Sequence, residues 1–109
     1  MIVCADADLD RAARAAVWGA FLNAGQTCAA VERCYVERSV ADAFLAKLKE
    51  HTQSLRLAGG APGPEGDDDD VGPLIDAAQF TRVRELFDDA LAGGARIFVG
   101  GENHEATLR

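Results

Sequence analysis

The sequence predicts an α/β fold in which helices cover a mainly parallel sheet. Short apolar runs rich in β-forming residues alternate along the 109-residue chain with longer segments whose apolar residues recur every three or four positions. Glycines, prolines and aspartates separate these segments, and their order is strand, helix, strand, helix, helix, strand. Because parallel strands need a long crossover connection, usually a helix, this alternation is typical of a parallel sheet with covering helices.

The first strand and helix have the clearest pattern. Residues 1–5 form a compact apolar run suited to a strand buried on both faces. Alternating carboxylates then mark a helix start, where they can cap free N–H groups and complement the macrodipole: Asp6, Asp8 and Asp10. One apolar stripe follows: Leu9, Ala12, Ala13, Ala16, Val17, Ala20 and Phe21. Asn23 and Gly25 end this helix, because glycine readily takes the left-handed conformation common at helix C-termini.

The second strand and helix come after Cys28. Residues 33–37, Arg-Cys-Tyr-Val-Glu, are rich in β-formers and predict a strand. Ser39, with Asp42 three residues later, forms an imperfect capping box that opens a second helix. The apolar face of this helix comprises Ala41, Phe44, Leu45, Leu48 and Leu55.

Residues 58–73 are the longest irregular segment and contain all three prolines and four consecutive aspartates at positions 67–70. We interpret this segment as a solvated surface loop. A straight run of aspartates lacks the spaced ligands and turn glycine of a calcium loop, so no cation site is predicted there.

A third helix and a third strand complete the pattern. Asp76 and Gln79 have the spacing of an N-terminal cap and its reciprocal partner, and Gly93 with Gly94 stops the helix. The helix carries one apolar face: Phe80, Val83, Leu86, Phe87, Ala90 and Leu91. Residues 95–99 predict the third strand, closed by a glycine pair. Residues 102–109 have no clear pattern, and we expect them to begin an element that the chain does not finish.

Composition and charge exclude several classes of protein. An apolar fraction of 49% with 27% charged residues is that of a globular chain. The net charge of −7 and the scattered basic residues disfavour a nucleic-acid partner. Three cysteines without a CxxC spacing indicate neither a disulfide framework nor a zinc site, so a reduced, cytoplasmic compartment is expected. The N-terminus resembles neither a signal peptide nor a membrane span.

Cys28 is the strongest candidate nucleophile. The segment Asn-Ala-Gly-Gln-Thr-Cys at residues 23–28 places this thiol on the turn between the first helix and the second strand. A thiolate attacks carbonyl carbon well, but a free cysteine is mostly protonated at neutral pH and needs activation. Glu32 would disfavour a thiolate and Arg33 would favour one, while His51 and His104 are distant in sequence. From these residues alone, a nucleophile and an ordinary small buried residue both remain open.

Other candidate residues have simpler explanations. Cys4 and Cys34 fall in predicted strands, where a structural role is expected, and Asn23 is expected to cap a helix rather than to donate to an oxyanion. Trp18 and Tyr35 are interpreted as packing residues rather than ligand platforms. The glycine pairs form neither a G-x-G-x-x-G motif nor a Walker loop, so no nucleotide-phosphate site is predicted in this chain.

Four successive segments resemble the catalytic domain of NAD(P)-dependent aldehyde dehydrogenases. They lie at residues 5–10, 21–28, 32–40 and 70–75, with a Gly-Gly ending at residues 100–101. The resemblance covers nearly the whole chain and implies a three-layer α/β/α domain. Residues 1–109 would then be a partial catalytic domain, truncated at both ends, that contains the nucleophile but no Rossmann cofactor domain.

The resemblance also implies a reaction. The thiolate of Cys28 would attack an aldehyde to form a thiohemiacetal, hydride would pass to NAD or NADP, and the resulting thioester would be hydrolysed to a carboxylate. The Cys28 N–H would be one oxyanion donor, and Gly25, Gln26 and Thr27 would shape its loop. The cofactor site, general base and second oxyanion donor would lie outside this chain, so the isolated chain is expected to be inactive. The alternatives are a non-catalytic folding or interaction module, which would self-associate, and a residual thiol esterase.

Overall fold

The computed structural model describes residues 1–57 and 70–101. Two strands and three α-helices form in this part of the chain, with short 3₁₀ turns after the first helix and before the second. The bounds are β1 Ile2–Val3, α1 Leu9–Phe21, β2 Tyr35–Val36, α2 Ala41–Gln53 and α3 Ala77–Ala92, with the 3₁₀ turns at Leu22–Gly25 and Arg38–Val40.

The two strands are parallel, with Ile2 opposite Tyr35 and Val3 opposite Val36. The helix α1 lies between them in sequence and supplies the crossover that parallel pairing requires. The α/β fold class and the parallel pairing are therefore confirmed. Both strands are shorter than predicted. The prediction that β1 is buried on both faces was wrong, because Val3 is 2% exposed but Ile2 is 77% exposed. In the described part of the chain, other elements cover only one face of β1.

The helix α1 begins where its pattern predicts, but it ends at Phe21, and the predicted end residues Asn23 and Gly25 lie in the 3₁₀ turn that follows. The Asp8 carboxylate accepts hydrogen bonds from the backbone N–H groups of Asp10 and Arg11, both at 3.1 Å, and so satisfies two donors that the first turn leaves free. Its stripe supplies the buried residues Ala13, Ala16 and Val17. The core joins this stripe to the sheet and to α2: Val3, Ala13, Ala16 and Phe44.

The helix α2 forms, but its predicted capping box was wrong. A 3₁₀ turn precedes the helix, and the N–H of Val40 donates to the carbonyl of Glu37 at 3.1 Å. Ser39 therefore lies inside that turn, where its hydroxyl donates to the Glu37 carboxylate at 3.3 Å instead of capping the helix. Leu55, expected on the helix face, lies beyond the helix end at Gln53.

The cap of α3 is confirmed, because the Asp76 carboxylate accepts from the backbone N–H of Gln79 at 2.8 Å. No residue of α3 is buried, however. The strand predicted at residues 95–99 was wrong: these residues are not a strand, and Ile97 and Phe98 are about half exposed. A strand needs a hydrogen-bonded neighbour, and the sheet in the described residues contains only β1 and β2.

Two contacts flank the predicted surface loop. The Arg56 guanidinium pairs with the Asp70 carboxylate at 3.1 Å, and Leu57 forms an isolated bridge with Val71. The loop prediction for residues 58–69, including three of the four consecutive aspartates, lies outside the described residues, as does the prediction for residues 102–109. In the two described ranges, no helix combines the length and apolar character needed to cross a membrane.

Candidate active site

Cys28 lies on a turn after α1, and its thiol is free and exposed. The turn location agrees with the sequence pattern. The alternative that Cys28 is an ordinary small buried residue does not fit this exposure. A ligand can therefore approach the sulfur from solvent.

The segment that leads to Cys28 has an unusual backbone. Asn23, Ala24 and Gly25 have φ angles of 54°, 57° and 75°, so three consecutive residues are left-handed. Glycine takes this conformation at no steric cost, whereas an L-residue with a Cβ is disfavoured by roughly 1–2 kcal/mol. The sequence indicated only Gly25. The strain at Ala24 must be offset by contacts elsewhere in the loop.

Four hydrogen bonds within the loop supply such contacts. The carbonyl of Asn23 accepts from the backbone N–H of Gln26 at 3.0 Å and from its side-chain amide at 3.1 Å. The Asn23 amide donates in return to the Gln26 carbonyl at 3.2 Å, and the Thr27 hydroxyl donates to the Leu22 carbonyl at 3.3 Å. Asn23 therefore closes this loop. It does not cap α1, whose C-terminal cap is the N–H of Leu22 donating to Trp18.

Gln26 also reaches a distant segment of the chain. Its side-chain oxygen accepts from the N–H of Ile75 at 2.8 Å, and its side-chain nitrogen lies 3.4 Å from the carbonyl of Pro73. These partners are 49 and 47 residues away in sequence. The sequence pattern did not indicate this contact, because a side-chain amide carries no periodic signal.

Gly19 is a second residue that the sequence reasoning missed. Its carbonyl accepts from the N–H of Val31 at 2.9 Å, so the segment after Cys28 packs directly on α1. A Cβ at Gly19 would lie 2.7 Å from the Val31 side chain. The available signal was a glycine inside an otherwise strong helix pattern, which often marks a close approach.

The surroundings of Cys28 can support an oxyanion but supply no evident base. Among the described residues, no acceptor binds the backbone N–H of Cys28, so this donor is available to a ligand. Glu32 and Arg33 pair loosely with each other at 3.9 Å, and both side chains are exposed. Their opposite charges therefore largely offset one another.

His51 belongs to the contact between α1 and α2. Its Nε2 lies 2.9 Å from the Asp10 carboxylate, which also pairs with Arg14 at 2.6 Å and Lys47 at 3.7 Å. The hydrogen bond with His51, followed by the bond with Arg14, holds the pKa of Asp10 below its ordinary value. His51 is therefore engaged in a helix contact. The other histidine, His104, lies outside the described residues.

The remaining candidates are more exposed than expected. Cys4 and Cys34 lie outside the short strands and are exposed free thiols, contrary to the structural role predicted for them. Trp18 and Tyr35 were expected to pack but are 68% and 64% exposed. Cys34 also contributes to the wall of an apolar cavity of about 430 Å³ between the three helices and residues 95–99.

The N-termini of α1 and α3 do not fit the pyrophosphate of a dinucleotide cofactor. A helix N-terminus can bind pyrophosphate when its N–H groups are free, but Asp8 and Asp76 already occupy the N-termini of α1 and α3 with carboxylates. These charges would repel a phosphate. No group of metal-ligating side chains occurs within residues 1–57 and 70–101 either.

These features define an α/β protein with an exposed thiol on the turn after its crossover helix. The aldehyde dehydrogenase family matches residues 1–109. The chain is 45% identical over 109 residues to vanillin dehydrogenase of Pseudomonas fluorescens, covering 100% of this chain and 22% of that protein. It is 41% identical over 104 residues to the NADP(+) succinate-semialdehyde dehydrogenase of Escherichia coli, covering 95% of this chain and 21% of that protein.

Solved structures give the same result. The NADP-dependent glyceraldehyde-3-phosphate dehydrogenase from Bacillus halodurans, complexed with NADP, superposes with a TM-score of 0.83 at 38% identity, covering 98% of this chain and 21% of that one. The NAD-dependent benzaldehyde dehydrogenase from Corynebacterium glutamicum gives 0.81 at 36% identity, covering 99% and 22%. The chain belongs to the aldehyde dehydrogenase family, and it spans about a fifth of the length of these relatives.

Proposed function

We propose that Cys28 is the nucleophile of an aldehyde dehydrogenase active site and that residues 1–109 are the part of the catalytic domain that carries it. The reaction would oxidise an aldehyde to a carboxylate with NAD or NADP. The observation that carries this proposal is the exposed thiol of Cys28 on a strained turn closed by four hydrogen bonds. Family membership supplies the reaction class, because the relatives named above are aldehyde dehydrogenases.

The chain's own residues support the first step. The Cys28 thiolate attacks the carbonyl carbon, a C–S bond forms, and the carbonyl oxygen becomes an oxyanion that accepts from the Cys28 N–H. After oxidation the sulfur holds an acyl group as a thioester. Water then releases the carboxylate and returns the thiol. A bound nicotinamide supplies one function in this sequence, the acceptance of hydride.

Two requirements of this reaction are not met by the described residues. The capped N-termini of α1 and α3 offer no pyrophosphate site, and His51 is held by Asp10 rather than by the thiol. We therefore propose that this chain works with further polypeptide that supplies the cofactor site and the base. The purified chain, mixed with NAD(P) and an aldehyde, should produce no reduced cofactor; sustained turnover would contradict this dependence.

A chimeric enzyme tests the role of Cys28. Residues 1–109 would replace the corresponding segment of the Pseudomonas fluorescens vanillin dehydrogenase, to which they are 45% identical. The chimera should oxidise vanillin, and succinate semialdehyde would serve as a second substrate. Cys28→Ser should then lower kcat/KM by at least about 1,000-fold, the scale on which covalent enzymes respond to loss of their nucleophile.

Cys4→Ser and Cys34→Ser are matched controls, because both thiols are also free and exposed. Each should leave kcat/KM within about threefold of the parent chimera, since neither lies on the turn. An active chimera that is unaffected by Cys28→Ser would refute the proposal.

A second candidate function is an interaction surface formed by α3 and the segment after it. No residue of α3 is fully buried, and several of its apolar side chains remain exposed. The partly exposed apolar residues of this surface are Val83, Leu86, Leu91, Ile97 and Phe98. Surfaces of this kind tend to associate, with further polypeptide of the same enzyme or with a second copy. Size-exclusion chromatography with light scattering should show association, and a compact monomer at all concentrations would argue against it.

The three free, exposed thiols also favour a reducing compartment, and we propose the cytoplasm. Cysteines kept in this state under oxidising conditions would form mixed disulfides. Alkylation of rapidly quenched cells, followed by mass spectrometry of the chain, should find all three cysteines reduced.

A further inference from the structure

We propose that Gln26 is a positioning residue that fixes the Cys28 turn on the segment at residues 73–75 and so ties the orientation of the thiol to the start of α3. The proposal rests on the proposed role of Cys28 as nucleophile. Gln26 lies two residues before Cys28 in sequence, so a displacement of its backbone moves the thiol.

The side-chain amide of Gln26 uses both of its ends. The nitrogen donates within the turn, to the Asn23 carbonyl at 3.1 Å, and lies 3.4 Å from the Pro73 carbonyl. The oxygen accepts from the Ile75 N–H at 2.8 Å. One half-buried side chain therefore closes the strained turn and connects it to a second segment. A neutral amide can do both because it is a donor and an acceptor at once.

Burial does not hold the second segment in place. The Ile75 side chain is 79% exposed, and no residue of α3 is buried. Within the described residues, hydrogen bonds from Arg56 to residues 70 and 71 also join the two ranges, but they lie at a different point of the chain. Gln26 is thus the polar link at the turn itself.

The hydrogen bond from Ile75 to Gln26 connects the turn to the start of α3. Ile75 directly precedes Asp76, the N-cap of α3. A movement of α3 is therefore transmitted through the Ile75 N–H and the Gln26 amide to the turn. The reverse also holds: a change in the turn alters the protection of the Ile75 N–H. This reciprocity can be measured without any enzymatic activity.

The experiment uses the full chain with Gln26→Met and Gln26→Glu. Methionine has a similar length and makes none of the amide's hydrogen bonds, whereas glutamate keeps the acceptor for Ile75 and loses the donor. Hydrogen exchange is followed at the Ile75 amide. Iodoacetamide alkylation of Cys4, Cys28 and Cys34 is followed by peptide mass spectrometry between pH 6 and 10.

In Gln26→Met, exchange at Ile75 should accelerate about three- to tenfold, the range expected for loss of one hydrogen bond. Alkylation of Cys28 should fall by a similar factor, because the released turn no longer holds the thiol in the exposed orientation of the closed turn. The rates at Cys4 and Cys34 should not change. Gln26→Glu keeps the acceptor for the Ile75 N–H but loses the donor that closes the turn, so exchange at Ile75 should accelerate less than in Gln26→Met, while alkylation of Cys28 should still fall.

The positioning role would be overturned if Ile75 in Gln26→Met exchanged at the wild-type rate. It would also be overturned if the alkylation rates of all three cysteines changed equally. Should Gln26→Met fail to fold, Gln26→Glu decides, since wild-type alkylation of Cys28 in that variant contradicts the positioning role of the Gln26 donor. None of these measurements depends on catalysis. The nucleophile proposal is refuted separately, by an active chimera that tolerates Cys28→Ser.

Discussion

Residues 1–57 and residues 70–101 differ in what their helices bury. In the first region, α1 and α2 enclose the core residues Val3, Ala13, Ala16 and Phe44. In the second, α3 has an equally regular apolar stripe and a confirmed N-cap, yet none of its residues is buried. A helical pattern thus specifies a helix but not its partner. Burial depends on whether another element presents a complementary face.

The turn at residues 22–28 lies where the two regions meet. It follows α1, it packs near the Gly19–Val31 contact, and Gln26 connects it to the start of α3. The candidate nucleophile is therefore placed by a well-packed region and adjusted by a loosely packed one. Substitutions that affect residues 1–57 and residues 70–101 differently test this difference between the regions.

The largest difference is expected between two phenylalanines. Phe44 is 1% exposed in the core, so Phe44→Ala should lower the free energy of unfolding by about 3–5 kcal/mol. Phe87 lies on α3 beside the apolar cavity and is only partly buried, so Phe87→Ala should cost about 1 kcal/mol or less. Urea unfolding followed by circular dichroism measures both. Equal losses would mean that the second region has a core of its own.

Two left-handed glycines form the next comparison. Gly25 has φ 75°, and a Cβ there would lie 3.1 Å from the Ala20 carbonyl; Gly94 has φ 89° and open space around it. Both Ala variants carry the left-handed cost of roughly 1–2 kcal/mol, and Gly25→Ala adds a close contact. Gly25→Ala should therefore be the more destabilising in urea unfolding. Gly72→Ala, in open space without a positive φ, is the control and should be nearly neutral.

The two regions can also be compared through their helix N-caps, which are aspartates in both. Asp8 and Asp76 each accept from the backbone of the first turn, so replacement by alanine removes about 1 kcal/mol of helix stability in either case. Asp8→Ala should lower global stability by that amount, because α1 belongs to the core. Asp76→Ala should mainly accelerate hydrogen exchange within α3. The same global loss in both variants would contradict separate behaviour of the regions.

The smallest effect is expected from Asp10 at acid pH. Its pKa is lowered, chiefly by the hydrogen bond with His51 and then by Arg14, so the folded chain binds this proton less readily than the unfolded chain. The resulting stabilisation is complete above the ordinary aspartate pKa of about 4 and is lost as the pH falls through the lowered value. In Asp10→Asn, the free energy of unfolding, measured by urea titration at a series of pH values, should fall less as the pH is lowered. An unchanged loss of stability at acid pH would assign that loss to other carboxylates, such as Asp70 beside Arg56.

The sequence predicted the helices well because their signals are local. Asp8 and Asp76 cap the helices they precede, the α1 stripe from Leu9 to Phe21 has the observed bounds, and the α3 stripe ends one residue before the observed end at Ala92. It failed where tertiary contacts decide the outcome. Residues 95–99 have strand composition but no neighbour in the described sheet, and Ser39 is held inside a 3₁₀ turn.

The sequence predicted which residue carries the candidate site, but not the backbone conformation and contacts that hold it. The position of Cys28 on a turn follows from the end of the α1 pattern. The left-handed Ala24, the close approach at Gly19 and the bond from Ile75 to Gln26 do not follow from it. Each arises from a contact between segments that are distant in sequence or from strain that other bonds offset.

Selective acylation tests the central claim, that the turn presents Cys28 as the reactive nucleophile. The chimera that carries residues 1–109 in vanillin dehydrogenase would be treated with a small excess of 4-nitrophenyl acetate at neutral pH, and the acetylated cysteine would be identified by peptide mass spectrometry. Cys4 and Cys34 are internal controls, because they are equally free and exposed. Acetylation mainly at Cys28, lost in Cys28→Ser, is the predicted result. Similar acetylation of all three cysteines would contradict the claim.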